Sequence, residues 1–188
     1  MQETQESPAS NFLDSTRKLF RYYKELGDKT LAQLDDHHIH QQPSSESNSI
    51  SIIVKHLSGN MLSRWTNFLA EDGEKSWRNR EEEFIDSIQD KKELMEVWEK
   101  GWSRLFEAID PLVEADMTRL VYIRNEGHTI IEAMNRQLGH YAYHVGQMVF
   151  VGRWLVGASW QSLSIPKGKS QAFNRDKFEQ EKKRKNFI

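Results

Sequence analysis

Apolar residues recur at three- and four-residue steps through Phe12, Leu13, Leu19, Phe20, Tyr23, Leu26, Leu31 and Leu34, with Arg17, Lys18, Lys24 and Glu25 between them. This period predicts a long amphipathic helix from about residue 11, with Ser10 as its expected N-cap. The stretch DDHHIHQQPSSESNS, with Pro43 and a Ser/Asn cluster, is expected to end it in a loop. Asn48 or Ser49 then caps a second helix, with Ile50, Ile53, Leu57, Met61, Trp65 and Phe68 on its buried side, running to about Leu69. Gly73 breaks the pattern. The connection over residues 71–89 is long for a compact domain, so a short helix near Phe84 to Ile88, or a lid, is expected there.

Asp90 with Glu93 forms a capping-box-like start to a third helix carrying Leu94, Val97, Trp98, Trp102, Leu105 and Ile109, and Pro111 closes it. Leu120 and Tyr122 then alternate with Val121 and Ile123, and a turn at Asn125 to Gly127 makes a short β-hairpin. A fourth helix runs from Ile130 to about Leu155 through Ile131, Met134, Leu138, Tyr141, Val145 and Met148. Its Gly139, Gly146 and Gly152 are expected to permit close helix approach. Four long amphipathic helices give an all-α four-helix bundle as the economical fold. Residues 1–188 form a single domain in this reading, with the bundle core over 10–157 and an irregular, charged tail over 158–188. The tryptophans and Tyr141 at helical spacing, Trp65, Trp98, Trp102 and Trp154, read as core.

Composition narrows the chemistry. The 188 residues include no cysteine and seven histidines, which removes thiolate metal sites, disulfides and cysteine nucleophiles. A net charge of −2 provides no field for nucleic acid or an anionic membrane. The basic run Lys182 to Lys185 reads as a solvated end. No apolar run approaches a membrane span, and MQETQESPASNF lacks the pattern of a signal peptide, so a cytoplasmic protein is expected. Phosphate loops, serine triads and the paired E-x-x-H carboxylates of di-iron bundles are not visible.

The most informative motif is QLGHYAYHVGQM, where His140 and His144 stand four apart on one helix face and can converge on one ion. Tyr141 follows His140 where a zincin has glutamate, which argues against a helix-borne metalloprotease. His56 lies at the edge of the second helix's buried stripe, either as a third ligand or as a hydrogen-bonded core histidine. His37, His38 and His40 fall in a polar loop and His128 at the junction of hairpin and helix; these four read as structurally bland.

His56 in IIVKHLSGNM, together with HYAYHVGQ, resembles the DinB/YfiT-like superfamily of four-helix-bundle proteins. The segments WTNFLAEDGEKSWRNR, IRNEGHTIIEAMNRQLGHYAYHVGQ and SLSIPKGKSQAFN are similar to an uncharacterised branch of it, a domain of unknown function. The resemblance implies a metal triad of His56, His140 and His144 holding a divalent ion, nickel or zinc, in a cleft at one end of the bundle. It also implies a homodimer and chemistry with low-molecular-weight thiols. Three imidazoles leave a coordination position open, and with no cysteine in the chain a reacting thiol must arrive as cosubstrate. Thiol-dependent transfer or hydrolysis of a small molecule is therefore the leading expectation. A non-catalytic stress-response or interaction module, with a structural metal or none, is the alternative. Asn60 and Gln147, each within about a turn of a proposed ligand, are candidates to orient an imidazole or bond the metal-bound group. Arg64 and Arg136 are candidates to hold an anionic substrate.

Overall fold

In the computed structural model, which describes residues 7–183, the first helix, α1 (Pro8–Leu31), starts earlier than its apolar period suggests. Ser7 is the N-cap rather than Ser10, whose own backbone N–H donates to Ser7 Oγ at 3.1 Å. Pro8 occupies the first turn, where a missing N–H costs nothing. The expected loop contains a one-turn helix, α2 (Asp36–His40), capped by Asp35. Helix α3 (Ile50–Trp65) begins on Ser49 and stops four residues short of Leu69. It stops because Thr66 turns extended and Asn67 enters the left-handed region (φ 49°), which asparagine tolerates better than most residues.

Helix α4 (Lys91–Ile109) starts on Asp90, whose carboxylate accepts from the Glu93 N–H at 2.8 Å. Strands β1 (Leu120–Ile123) and β2 (Glu126–Thr129) pair antiparallel, Leu120 with Thr129 and Ile123 with Glu126. The turn falls at Arg124 and Asn125 (φ 56° and 61°), not at Asn125 to Gly127. A two-residue hairpin turn of this type needs positive φ at both positions. Arginine is a poor choice there, and the Asp72 carboxylate compensates by accepting from both turn N–H groups at 2.8 Å. Thr129 and Glu132 form a reciprocal capping box for α5 (Ile130–Val156). The tail carries one short helix, α6 (Ser170–Phe178), exposed along its whole length. The first half of MQETQESPASNF, and Arg184 and Lys185 of the basic run, lie outside the described residues.

Among the described residues there are thus six α-helices and one hairpin, and no helix is long and apolar enough to cross a membrane. Helix α3 packs on α4, α1 on α5, and α3 also on α5. Phe20, Leu57, Trp98, Trp102 and Tyr141 fill the interior from these four long helices. Trp154 does not join them and is exposed. Of the three glycines expected to permit close approach, Gly152 does so, since a Cβ there would lie 2.9 Å from Thr30 Cγ2 of α1, while one at Gly139 or Gly146 meets nothing within 4 Å. Helices α4 and α3 also approach closely, at Gly101, where a Cβ would lie 2.8 Å from Ser58 Cα.

The long connection has a single 3-10 turn at Glu81–Phe84, slightly earlier than the helix expected near Phe84 to Ile88. Polar bonds strap it to α3. Lys55 Nζ donates to the carbonyls of Glu82 and Ile85 and to Ser87 Oγ, while Asp86 accepts from Ser49 and Ser51. At the other end Ser63 Oγ donates to the Gly73 carbonyl at 2.8 Å, and the Gly73 N–H donates to the Tyr122 carbonyl of β1 at 2.8 Å. Fixed this way, the 3-10 turn lies beside the middle of α3, next to His56.

Candidate metal centre

His56 comes from the middle of α3, and His140 and His144 from successive turns of α5. Because α3 and α5 are in contact, the three rings meet: His56 Nε2 is 3.2 Å from His140 Nε2, and His144 Nε2 is 3.1 Å from the same atom. All three ligand atoms fall within 4.8 Å of one another. His56 is buried, and the other two are partly buried.

The outer ring nitrogens decide which inner ones carry lone pairs. His56 Nδ1 lies 2.9 Å from Glu83 Oε2. Burial opposes the charge on Glu83, but hydrogen bonds from His56 and Arg78 hold its carboxyl below the usual range. An ionised carboxylate only accepts, so His56 Nδ1 is the donor, and the neutral ring then keeps its lone pair on Nε2. His144 Nδ1 likewise donates to Gln147 Oε1 at 2.7 Å, and the Gln147 amide in turn donates to Tyr143. Two lone pairs therefore point at His140 Nε2. His140 Nδ1 is buried with no partner.

Burial, then the like charge that a protonated His144 or His56 would set beside it, pushes His140 down to about 3, and burial with the like charge of a protonated His56 pushes His144 down to about 4. Both rings are therefore neutral at pH 7 and available as ligands. The edge of a tetrahedron with zinc–nitrogen arms is about 3.3 Å. The observed 3.1–3.2 Å separations match that spacing, so the three histidines can hold a metal ion.

Glu83 was invisible to sequence reasoning. It sits in the run REEEF with no spacing that links it to a histidine, and only the strapped connection brings it to His56. An oriented carboxylate behind a metal-binding imidazole fixes the ring and raises its basicity. Asn60 makes no hydrogen bond to an imidazole among the described residues. Its Oδ1 accepts from the Tyr141 hydroxyl at 3.1 Å, and that hydroxyl accepts from Trp65 Nε1 at 2.9 Å. Asn60, Arg64 and Arg136 nonetheless line one cavity with the three histidines. Of the four bland histidines, His40 pairs with Asp86, His38 with Asp35, and His37 with Gln41. The His128 Nε2 is buried without a partner, and His128 is not part of the triad.

A family described as a protein of unknown function (DUF1572) matches residues 7–169. The chain belongs to that family. The match begins at the Ser7 cap, contains every residue of the histidine cluster and ends before α6. No curated protein matches the chain.

Proposed function

We propose that this protein is a DinB-like four-helix bundle that binds one divalent metal, nickel or zinc, through His56, His140 and His144 and acts on a small molecule. The observation that carries this reading is the convergence of three imidazoles, with His56 Nε2 and His144 Nε2 each 3.1–3.2 Å from His140 Nε2 and all three ligand atoms within 4.8 Å of one another. The superfamily reading is supported by four long helices contacting in the pairs α1–α5, α3–α4 and α3–α5. A divalent ion held there supplies Lewis acidity, which makes a thiol or water a competent anionic nucleophile at neutral pH. Glu83 and Gln147 keep the two outer imidazoles in one tautomer, and Arg64 and Arg136 stand in the same cavity as binders of substrate charge. Thiol-dependent transfer or hydrolysis fits these parts, with the thiol supplied by a cosubstrate.

Elemental analysis of protein purified without an affinity tag tests the site. About one equivalent of metal is expected for the native chain, and a His140→Ala/His144→Ala variant should lose it. Equal metal in both sinks the proposal. Chelation separates a catalytic from a structural ion: turnover lost with the melting temperature unchanged supports catalysis, and a large fall in melting temperature with no turnover at any stage supports a structural role.

We also propose that the protein is a homodimer through the outer face of α5. Tyr143, Phe150 and Trp154 stand 61%, 70% and 56% exposed at seven- and four-residue steps along one stripe, beside the open Gly146. Light scattering should give twice the chain mass for the native protein and the chain mass for Phe150→Glu. A native monomer at tens of micromolar sinks this assignment.

A further inference from the structure

The cavity that holds the histidine cluster has a volume of about 430 Å³ and is lined by five arginines, Arg64, Arg78, Arg80, Arg124 and Arg136. No carboxylate lines it. The acidic groups that reach these arginines come from behind or beside them. Glu74 Oε2 alone accepts from Arg64 and Arg124 at 3.1–3.2 Å and stands 3.5 Å from Arg78. Glu83 pairs with Arg78, and Glu81 reaches Arg80 at 3.4 Å with both side chains largely exposed. Four of the five guanidiniums thus share three carboxylates. Arg136 has no acidic partner among the described residues, and Arg64, only 7% exposed, keeps a buried Nε without an acceptor.

A buried donor without a partner and an excess of cations around one cavity are costly unless something anionic enters. Arginine presents paired N–H groups that match the two oxygens of a carboxylate or phosphate. Arg136 lies four residues before His140 on α5, one helical turn, or about 5–6 Å along the axis. We propose that the cavity binds a small molecule through a carboxylate or phosphate group held by Arg136 and Arg80, with the charge of Arg64 in the cavity wall beside them and the rest of the molecule reaching the histidines one turn away. The inference rests on the metal reading only for what happens at the histidine end. The oxyanion subsite stands on the arginines alone.

Calorimetric titration of the full chain with inorganic phosphate and with succinate, before and after metal removal by a chelator, tests it. Binding of at least one of the two is expected in both metal states, and whichever binds more tightly names the group. Affinity should fall at least tenfold in Arg136→Gln and in Arg80→Gln, both exposed sites whose replacement spares the core, and stay unchanged in Arg175→Gln on α6. Succinamide, which keeps the shape without the charge, should not bind. Retained binding in chelated protein with the histidine pair mutated supports the subsite even if the metal proposal fails. No binding by either anion, binding that needs the metal and ignores Arg136 and Arg80, or equal binding of succinamide overturns it.

Discussion

Replacing Arg78 with methionine is expected to destabilise the protein by about 3–5 kcal/mol, read as a lower urea midpoint at unchanged slope. The Arg78 side chain is 3% exposed, and its Nε and a terminal nitrogen grip both oxygens of Glu83 at 2.7 and 2.9 Å. Without it, the Glu83 carboxylate stays buried beside His56 alone, and burial then drives its pKa up rather than down. Most of the loss is thus the cost of a stranded charge and not the worth of the pair. The double variant Arg78→Met/Glu83→Gln should recover a large part of that loss, because it removes the stranded charge. Arg78→Lys keeps the charge but not the two-pronged grip and should fall between the native protein and Arg78→Met. Additive effects of Arg78→Met and Glu83→Gln would contradict this account.

The same residues show what a sequence can reveal about this protein. The four long helices were legible because their apolar residues keep one period for 16 or more positions, long enough to outvote local exceptions. The hairpin was legible from strict alternation, but not its turn, since the choice of Arg124 and Asn125 depends on a carboxylate 52 and 53 residues away. Helix ends shifted wherever a cap competed with the pattern, as at Ser7 and Asn67. The glycine reading failed at Gly139 and Gly146 because an i,i+7 repeat says that a face is smooth, not that another helix of the same chain lies on it.

At the candidate site, His140 and His144 were visible as a pair because a helix places residues four apart side by side. His56 reaches them across 84 residues, a contact that no periodicity encodes, so only the resemblance joined the three. Arg64 and Arg136 were legible as candidates from their helical spacing to the histidines, whereas Glu83, Arg78 and Arg80 were not. These three belong to a connection without a repeating pattern, and its course is set by individual bonds to Ser51, Lys55 and Ser63. The orientation of His56 thus depends on the least periodic part of the chain.

Trp98→Ala is the second substitution expected to cost about 3–5 kcal/mol, by the cavity it leaves. Trp98 is 1% exposed and reaches from α4 across to α1, where its Nε1–H donates to Asp28 at 2.7 Å. A Cβ built on Gly27 of α1 would lie 2.3 Å from Trp98 Cζ2, so the indole fills the space that a side chain at position 27 would need. Glycine is here kept in a helix interior at a penalty of about 1 kcal/mol relative to alanine, because the ring needs the room. Gly27→Ala alone should therefore destabilise by about 1–3 kcal/mol, the usual range for overpacking. In a Trp98→Leu background the clash is gone, and Gly27→Ala should change sign and stabilise by up to about 1 kcal/mol. Urea unfolding of the four proteins measures the cycle. The same cost for Gly27→Ala in both backgrounds would mean that α1 and α4 are not held in register by this ring, and the contact between them would have to be reassigned to the Lys24–Glu99 ion pair.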